Sequence, residues 1–128
     1  MKNYYLGLYE KSMPNTLTLE EKLRQAKAAG FDFMEISIDE TDAKLARLDW
    51  SAGERGHLVD LMEAAGVPVR SMCLSGHRTY PLGSHDAAVR ASGLELMGKA
   101  VGLPAALGLR PIQLAGHDVY SDPGAGAT

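Results

Sequence analysis

Short apolar runs alternate along this chain with stretches whose apolar residues recur every three or four positions. Strands and helices bury their faces at these two different periods, so the alternation predicts strand–helix repeats. Leu6, Gly7, Leu8 and Tyr9 form a brief run, closed by the polar pair Glu10 and Lys11. Thr18 with Glu21 makes a Ser/Thr-x-x-Glu capping box. Leu19, Leu23, Ala26 and Ala29 then follow at helical spacing, and Gly30 supplies the stop. Residues 33–38 read as the second strand, trailed by an acidic loop over 39–42 and a short amphipathic piece over 43–48. Ser51 with Glu54 is another capping box, opening a helix through Leu58, Leu61, Met62 and Ala65 to Gly66. Residues 67–74 are the third strand, with Pro68 at its beginning, where a missing N–H does least harm. A polar loop over 75–83 follows, and Ser84 is expected to cap a third helix. That helix places Ala87, Ala91, Leu94, Met97 and Val101 on one stripe, and Pro104 is expected to break or kink its last turn. Residues 111–114 are the fourth and weakest strand. Residues 121–128 are rich in small residues and read as a disordered tail, leaving one domain over 1–120.

Strands alternating with helices imply βαβ units and a parallel sheet. Right-handed crossovers lay each new strand beside the last. Two architectures fit: a small doubly wound sheet, or the N-terminal half of a (β/α)8 barrel with about four strands. Neither a Rossmann nor a P-loop glycine fingerprint follows any strand, and the half barrel is preferred. A net charge of −3 and the absence of basic clusters with interleaved aromatics argue against nucleic acid as a partner. Apolar runs are too short for a membrane span, and the N-terminus lacks a signal-peptide layout. Cys73 is the single cysteine, which excludes an intrachain disulfide and fits a cytoplasmic setting.

Several segments resemble one family in order along the chain. They are residues 6–11, 30–35 with 39–42, 47–51, 71–78, 81–84 and 112–116. Together they are similar to the L-ribulose-5-phosphate (L-xylulose-5-phosphate) 3-epimerases, which are xylose-isomerase-like TIM barrels. The resemblance runs from about Leu6 to Tyr120 and covers only the first four strands of such a barrel. It implies metal-assisted epimerisation at C3 of a pentulose phosphate, with two glutamates exchanging the C3 proton through an enediolate. In that family a divalent metal (Mn, Mg or Zn) is held by Glu, Asp, His and Glu at the ends of later strands. None of those positions matches a residue of this chain, so no catalytic or metal residue is named and no cofactor is expected for it. The expectation is an isomerase-family chain, truncated after its fourth strand and inactive alone. The alternative is a non-catalytic remnant or a small sugar-phosphate-binding α/β module.

Barrel enzymes place their sites at the C-terminal ends of strands, so the strand-end polar residues are the candidates for substrate contact. Glu10 and Lys11 close the first strand, and Glu35 lies within the second, where a carboxylate needs hydrogen bonds. His77 and Arg78 follow the third strand, and a guanidinium suits a phosphate. Gln113 is a polar residue in the fourth strand. Each also has a plain reading, as a solvated charge or a satisfied core group. His117 and Asp118 with His77 could in principle ligate a metal, but only if the fold brings them together. His57 and His85 read as surface residues, Cys73 as a small buried hydrophobe, and Trp50 as packing at a helix start. Four strands leave two edges, so the chain is expected to self-associate.

Overall fold

The computed structural model describes residues 2–115. His117, Asp118 and the tail over 121–128 lie outside the described residues. The strands are β1 (Gly7–Tyr9), β2 (Phe33–Ile38), β3 (Val69–Leu74) and β4 (Ile112–Leu114). The helices are α1 (Leu19–Ala28), α2 (Asp42–Leu45), α3 (Ala52–Ala65) and α4 (Ala87–Leu107). Three 3-10 turns, at Glu10–Ser12, Ala46–Asp49 and Gly76–Arg78, sit just beyond β1, α2 and β3.

The strands pair in parallel in the order β1-β2-β3-β4. Strand order equals chain order and never reverses, so the sheet has no topological switch point and is not doubly wound. This is four strands of a partial TIM barrel with helices between them.

Local signals explain most element ends. Both capping boxes form: Thr18 and Glu21 exchange hydrogen bonds at the start of α1, and Ser51 and Glu54 do so at α3. Gly66 closes α3 in a left-handed conformation, with φ of 67°. The start of α4 corrects an expectation. Its cap is Asp86, whose carboxylate accepts from the Ala88 N–H, whereas Ser84 is buried and its hydroxyl accepts from the Asp86 N–H. The helix also continues past Pro104 to Leu107 rather than breaking there. Proline is buried in the final turn, and its carbonyl accepts from the Leu109 N–H, so the chain closes around it.

The face that α4 buries differs from the expected stripe. Gly93, Leu96, Ala100 and Leu103 are buried, while Leu94 and Val101 are 66% and 56% exposed. The hydrophobic core joins Leu23 and Ala26 of α1, Leu58 of α3 and this α4 line to Met34, Ile36, Ile38, Met72 and Leu74 of the sheet. Register fixes what the opposite sheet face carries. Tyr9 sits beside Glu35 and Glu35 beside Ser71, while Ser37, Cys73 and Gln113 form a second row. Side chains on adjacent parallel positions share a face, so this polar set lines the inner side of the sheet, away from the helices. Phe33 lies on that side against Gly7, where an added Cβ would stand 2.4 Å from the ring. Only glycine fits there.

Candidate functional site

Two groups of polar residues meet at the C-terminal ends of the strands. The first is a buried ion network. Glu10, 0% exposed, takes both Arg47 guanidinium nitrogens at 2.6 and 2.8 Å, the Lys22 ammonium at 2.9 Å and the Ser37 N–H at 2.9 Å. Arg47 also donates to the Ser37 carbonyl, so the network ties the turn after β1, α1 and the turn after α2 to β2. Burial alone would raise the Glu10 carboxyl, but the Arg47 fork and the Lys22 and Ser37 donors hold it down at about 2. Beside it, Asp39 accepts from the Thr41 N–H and hydroxyl and from Lys44, with Lys11 at 3.6 Å. Burial works against ionisation there too, and the Thr41 and Lys44 donors outweigh it, holding Asp39 at about 2.

The second group is the inner polar row. The Tyr9 phenol lies 3.3 Å from the Ser37 hydroxyl, and burial together with the neighbouring Cys73 thiol pushes it up to about 12. Tyr9 therefore stays neutral and able to donate near neutral pH. Cys73 is half-buried between Ser37 and Gln113 on this face, rather than lost in the helix-side core. Ser75, just past β3, is 8% exposed, and its hydroxyl interacts with the Tyr9 phenol, which continues the row past the strand end. A hydroxyl both donates and accepts, so Ser75 and Tyr9 together keep capacity for a ligand oxygen.

The expected site residues fall into different places. Glu10 is saturated by protein donors and faces no open space. Lys11 keeps 36% of its side chain exposed at the rim, beside Asp39. Glu35 accepts the Ser71 hydroxyl at 2.6 Å and lines an open cleft with Phe33, Arg70 and Arg110, away from Ser75. His77 shares a 3.1 Å hydrogen bond with the Gly93 carbonyl, fastening its turn to α4, where a Cβ on residue 93 would meet the Tyr80 carbonyl at 2.6 Å. Arg78 is half-buried in the same turn. Gln113 is exposed at the end of the inner row. Sequence reading missed Lys22, Arg47, Tyr9, Ser37 and Ser75. A usable signal existed for part of the row, because Glu35 and Ser37 stand at alternate positions of the otherwise apolar β2.

Successive parallel strands, helices on one face and polar groups gathered at the strand C-termini define one side of a (β/α) barrel site. The chain belongs to the xylose isomerase-like TIM barrel family, whose profile matches residues 23–127. It is 57% identical to the L-ribulose-5-phosphate 3-epimerase UlaE of Salmonella paratyphi B over 119 residues, 93% of this chain and 42% of that one. The Salmonella schwarzengrund UlaE matches to the same extent. The chain thus spans about two-fifths of the length of these curated relatives. Among solved structures, the D-allulose 3-epimerase from Methylomonas sp. superposes with a TM-score of 0.68 at 22% identity, covering 95% of this chain and 41% of that one. A D-psicose 3-epimerase does so with a TM-score of 0.68 at 20% identity, covering 88% and 37%. These two likenesses establish the fold.

Proposed function

We propose that this chain forms the substrate-side wall of a sugar-phosphate 3-epimerase, acting on L-ribulose 5-phosphate or L-xylulose 5-phosphate. The observation that carries the reading is the inner polar row of Tyr9, Ser37, Cys73 and Ser75, at the strand ends where barrel enzymes bind substrate. The substrate class comes from the UlaE relatives. Ser75 and the neutral Tyr9 phenol supply hydrogen bonds to sugar hydroxyls, and Gln113 extends the row. Lys11 and Arg78 are the cationic groups at the same end of the sheet suited to a phosphate. Glu10 and His77 act from behind, by fixing the turns that hold these groups.

Epimerisation needs one proton-transfer group on each side of C3. Among the described residues the inner-face carboxylate is Glu35, which is engaged by Ser71 and opens to a different cleft. The reading therefore assigns proton transfer to the part of the barrel beyond β4. Among the described residues no group of three or more His, Cys, Asp or Glu could hold a metal ion. These residues do not fit the divalent cation that the resemblance implies, and no step is derived through one. No helix among them is long and apolar enough to cross a membrane, and a cytoplasmic setting belongs to the same proposal.

Titration of the labelled chain with L-ribulose 5-phosphate, followed by NMR, tests this reading. Shifts should centre on Tyr9, Ser75 and Lys11, and Ser75→Ala should weaken binding up to about tenfold, the worth of one hydrogen bond. Shifts confined to other surfaces, or an affinity indifferent to Ser75→Ala, would overturn it.

A further inference from the structure

The corner beyond β1 and β2 gathers more cations than its buried carboxylates require. Among the described residues, Glu10 and Asp39 are met there by Lys11, Lys22, Lys44 and Arg47. Glu10 is saturated by Lys22, Arg47 and the Ser37 N–H. Asp39 takes the Thr41 N–H and hydroxyl on one oxygen, at 2.9 and 2.6 Å, and Lys44 on the other at 3.2 Å. Lys11 reaches that second oxygen only at 3.6 Å, beyond hydrogen-bonding distance. Glu40 and Asp42, the other carboxylates of the same loop, are exposed, where water and salt screen them.

The four cations are not equivalent. Withdrawing Lys22, Lys44 or Arg47 would strip a hydrogen bond from a buried carboxylate, which is costly. Lys11 can leave at little cost, because Asp39 keeps Thr41 and Lys44. It is also the accessible member: 36% of its side chain is exposed, against 3%, 7% and 10% for Lys22, Lys44 and Arg47. Its place continues the inner row. Tyr9 and Ser37 meet at 3.3 Å, and two residues further along each segment Lys11 and Asp39 meet. The row thus runs from neutral hydroxyls to an ammonium at the rim. A ligand with hydroxyls along its body and an anion at one end matches that order.

We propose that Lys11 makes this site selective for a phosphorylated sugar: it exchanges Asp39 for the ligand's phosphate, while Thr41 and Lys44 keep Asp39 paired. The proposal rests on the substrate-wall reading and deepens it, by choosing Lys11 over Arg78 as the partner of the phosphate. Arg78 lies half-buried in the turn after β3 and is already engaged within the chain.

The test compares L-ribulose 5-phosphate, free L-ribulose and inorganic phosphate as ligands of the 128-residue chain by calorimetric titration. Lys11→Met keeps the side-chain stem and removes its charge. It should cut the preference for L-ribulose 5-phosphate over L-ribulose roughly ten- to hundredfold, the worth of one charge-assisted hydrogen bond, and weaken inorganic phosphate by a similar factor. Lys11→Arg should keep most of the preference, and Arg78→Met should leave it in place. Circular dichroism of Lys11→Met should match the parent, since Asp39 loses no hydrogen bond. A preference unchanged in Lys11→Met, or one that collapses in Arg78→Met instead, overturns the proposal, as does a parent chain that takes up no phosphate. Inorganic phosphate bound through Lys11 with no response to either sugar upholds Lys11 as the phosphate's partner and counts against the substrate-wall reading alone.

Discussion

The corner where β1 and β2 end and the edge formed by β4 and α4 solve opposite problems. At the corner, seven polar or charged side chains are drawn together, and Glu10, Lys22, Asp39, Lys44 and Arg47 are all buried. Every carboxylate oxygen of Glu10 has a donor, and the network closes without help from outside the chain. At the edge, Leu94, Val101 and Leu114 remain exposed and β4 lacks a neighbour on one side. The corner completes its pairing within the chain, whereas the edge leaves apolar groups in water, as do Tyr5 and Leu6 beside the opposite edge strand β1. Charges drawn into a corner must be paired there, because an unpaired one costs several kcal/mol, whereas an exposed leucine costs little.

Breaking the corner should have the largest effect. Arg47→Met leaves the buried Glu10 carboxylate short of its principal partner and should destabilise the chain by about 3 kcal/mol, read from the urea midpoint. An unchanged midpoint would mean that the network contributes nothing to folding. Acid should act on the same groups more gradually. Glu10 and Asp39 are held at about 2 in the folded chain, below their ordinary values of 4.5 and 3.8. Their contribution is therefore complete above about pH 4.5 and is lost as pH falls toward 2. Thermal melts across that window should show the loss, and Glu10→Gln should flatten it. The smallest effect belongs to the edge: the Leu94→Glu, Val101→Glu chain on its own should melt within about 0.5 kcal/mol of the parent. A large loss there would show that the flank is already covered.

How much of this was legible in the sequence follows from the range of each interaction. The β2 bounds, both capping boxes and the Gly66 stop are local, and the structure has them where the pattern put them. Strand–helix order leaves a doubly wound sheet and a half barrel open, the missing glycine fingerprints favour the barrel, and the unreversed strand order bears it out. The ion network was not legible, because Glu10 lies 12 residues from Lys22 and 37 from Arg47, and only the parallel register brings them together. The α4 face was misread for a different reason. Leu94–Val101 and Leu96–Leu103 are two apolar series on one helix, each at helical spacing, and periodicity has no means of choosing between them. The sheet chose Gly93, Leu96, Ala100 and Leu103, and the rejected series became the exposed flank. Cys73 reads as a small buried hydrophobe because composition shows its type and not its face; register puts it, half-buried, beside Ser37.

What stands proposed is that the inner polar row of this chain is the substrate wall of a sugar-phosphate 3-epimerase, with proton transfer left to groups outside the described residues. The most direct measurement is binding of L-ribulose 5-phosphate by the chain, followed beside C3 epimerisation with manganese or magnesium added. Binding centred on Tyr9, Ser75 and Lys11, without turnover, is the expected result. Turnover by these 128 residues, in a preparation from a host lacking its own epimerases, would contradict the proposal, and so would an absence of binding.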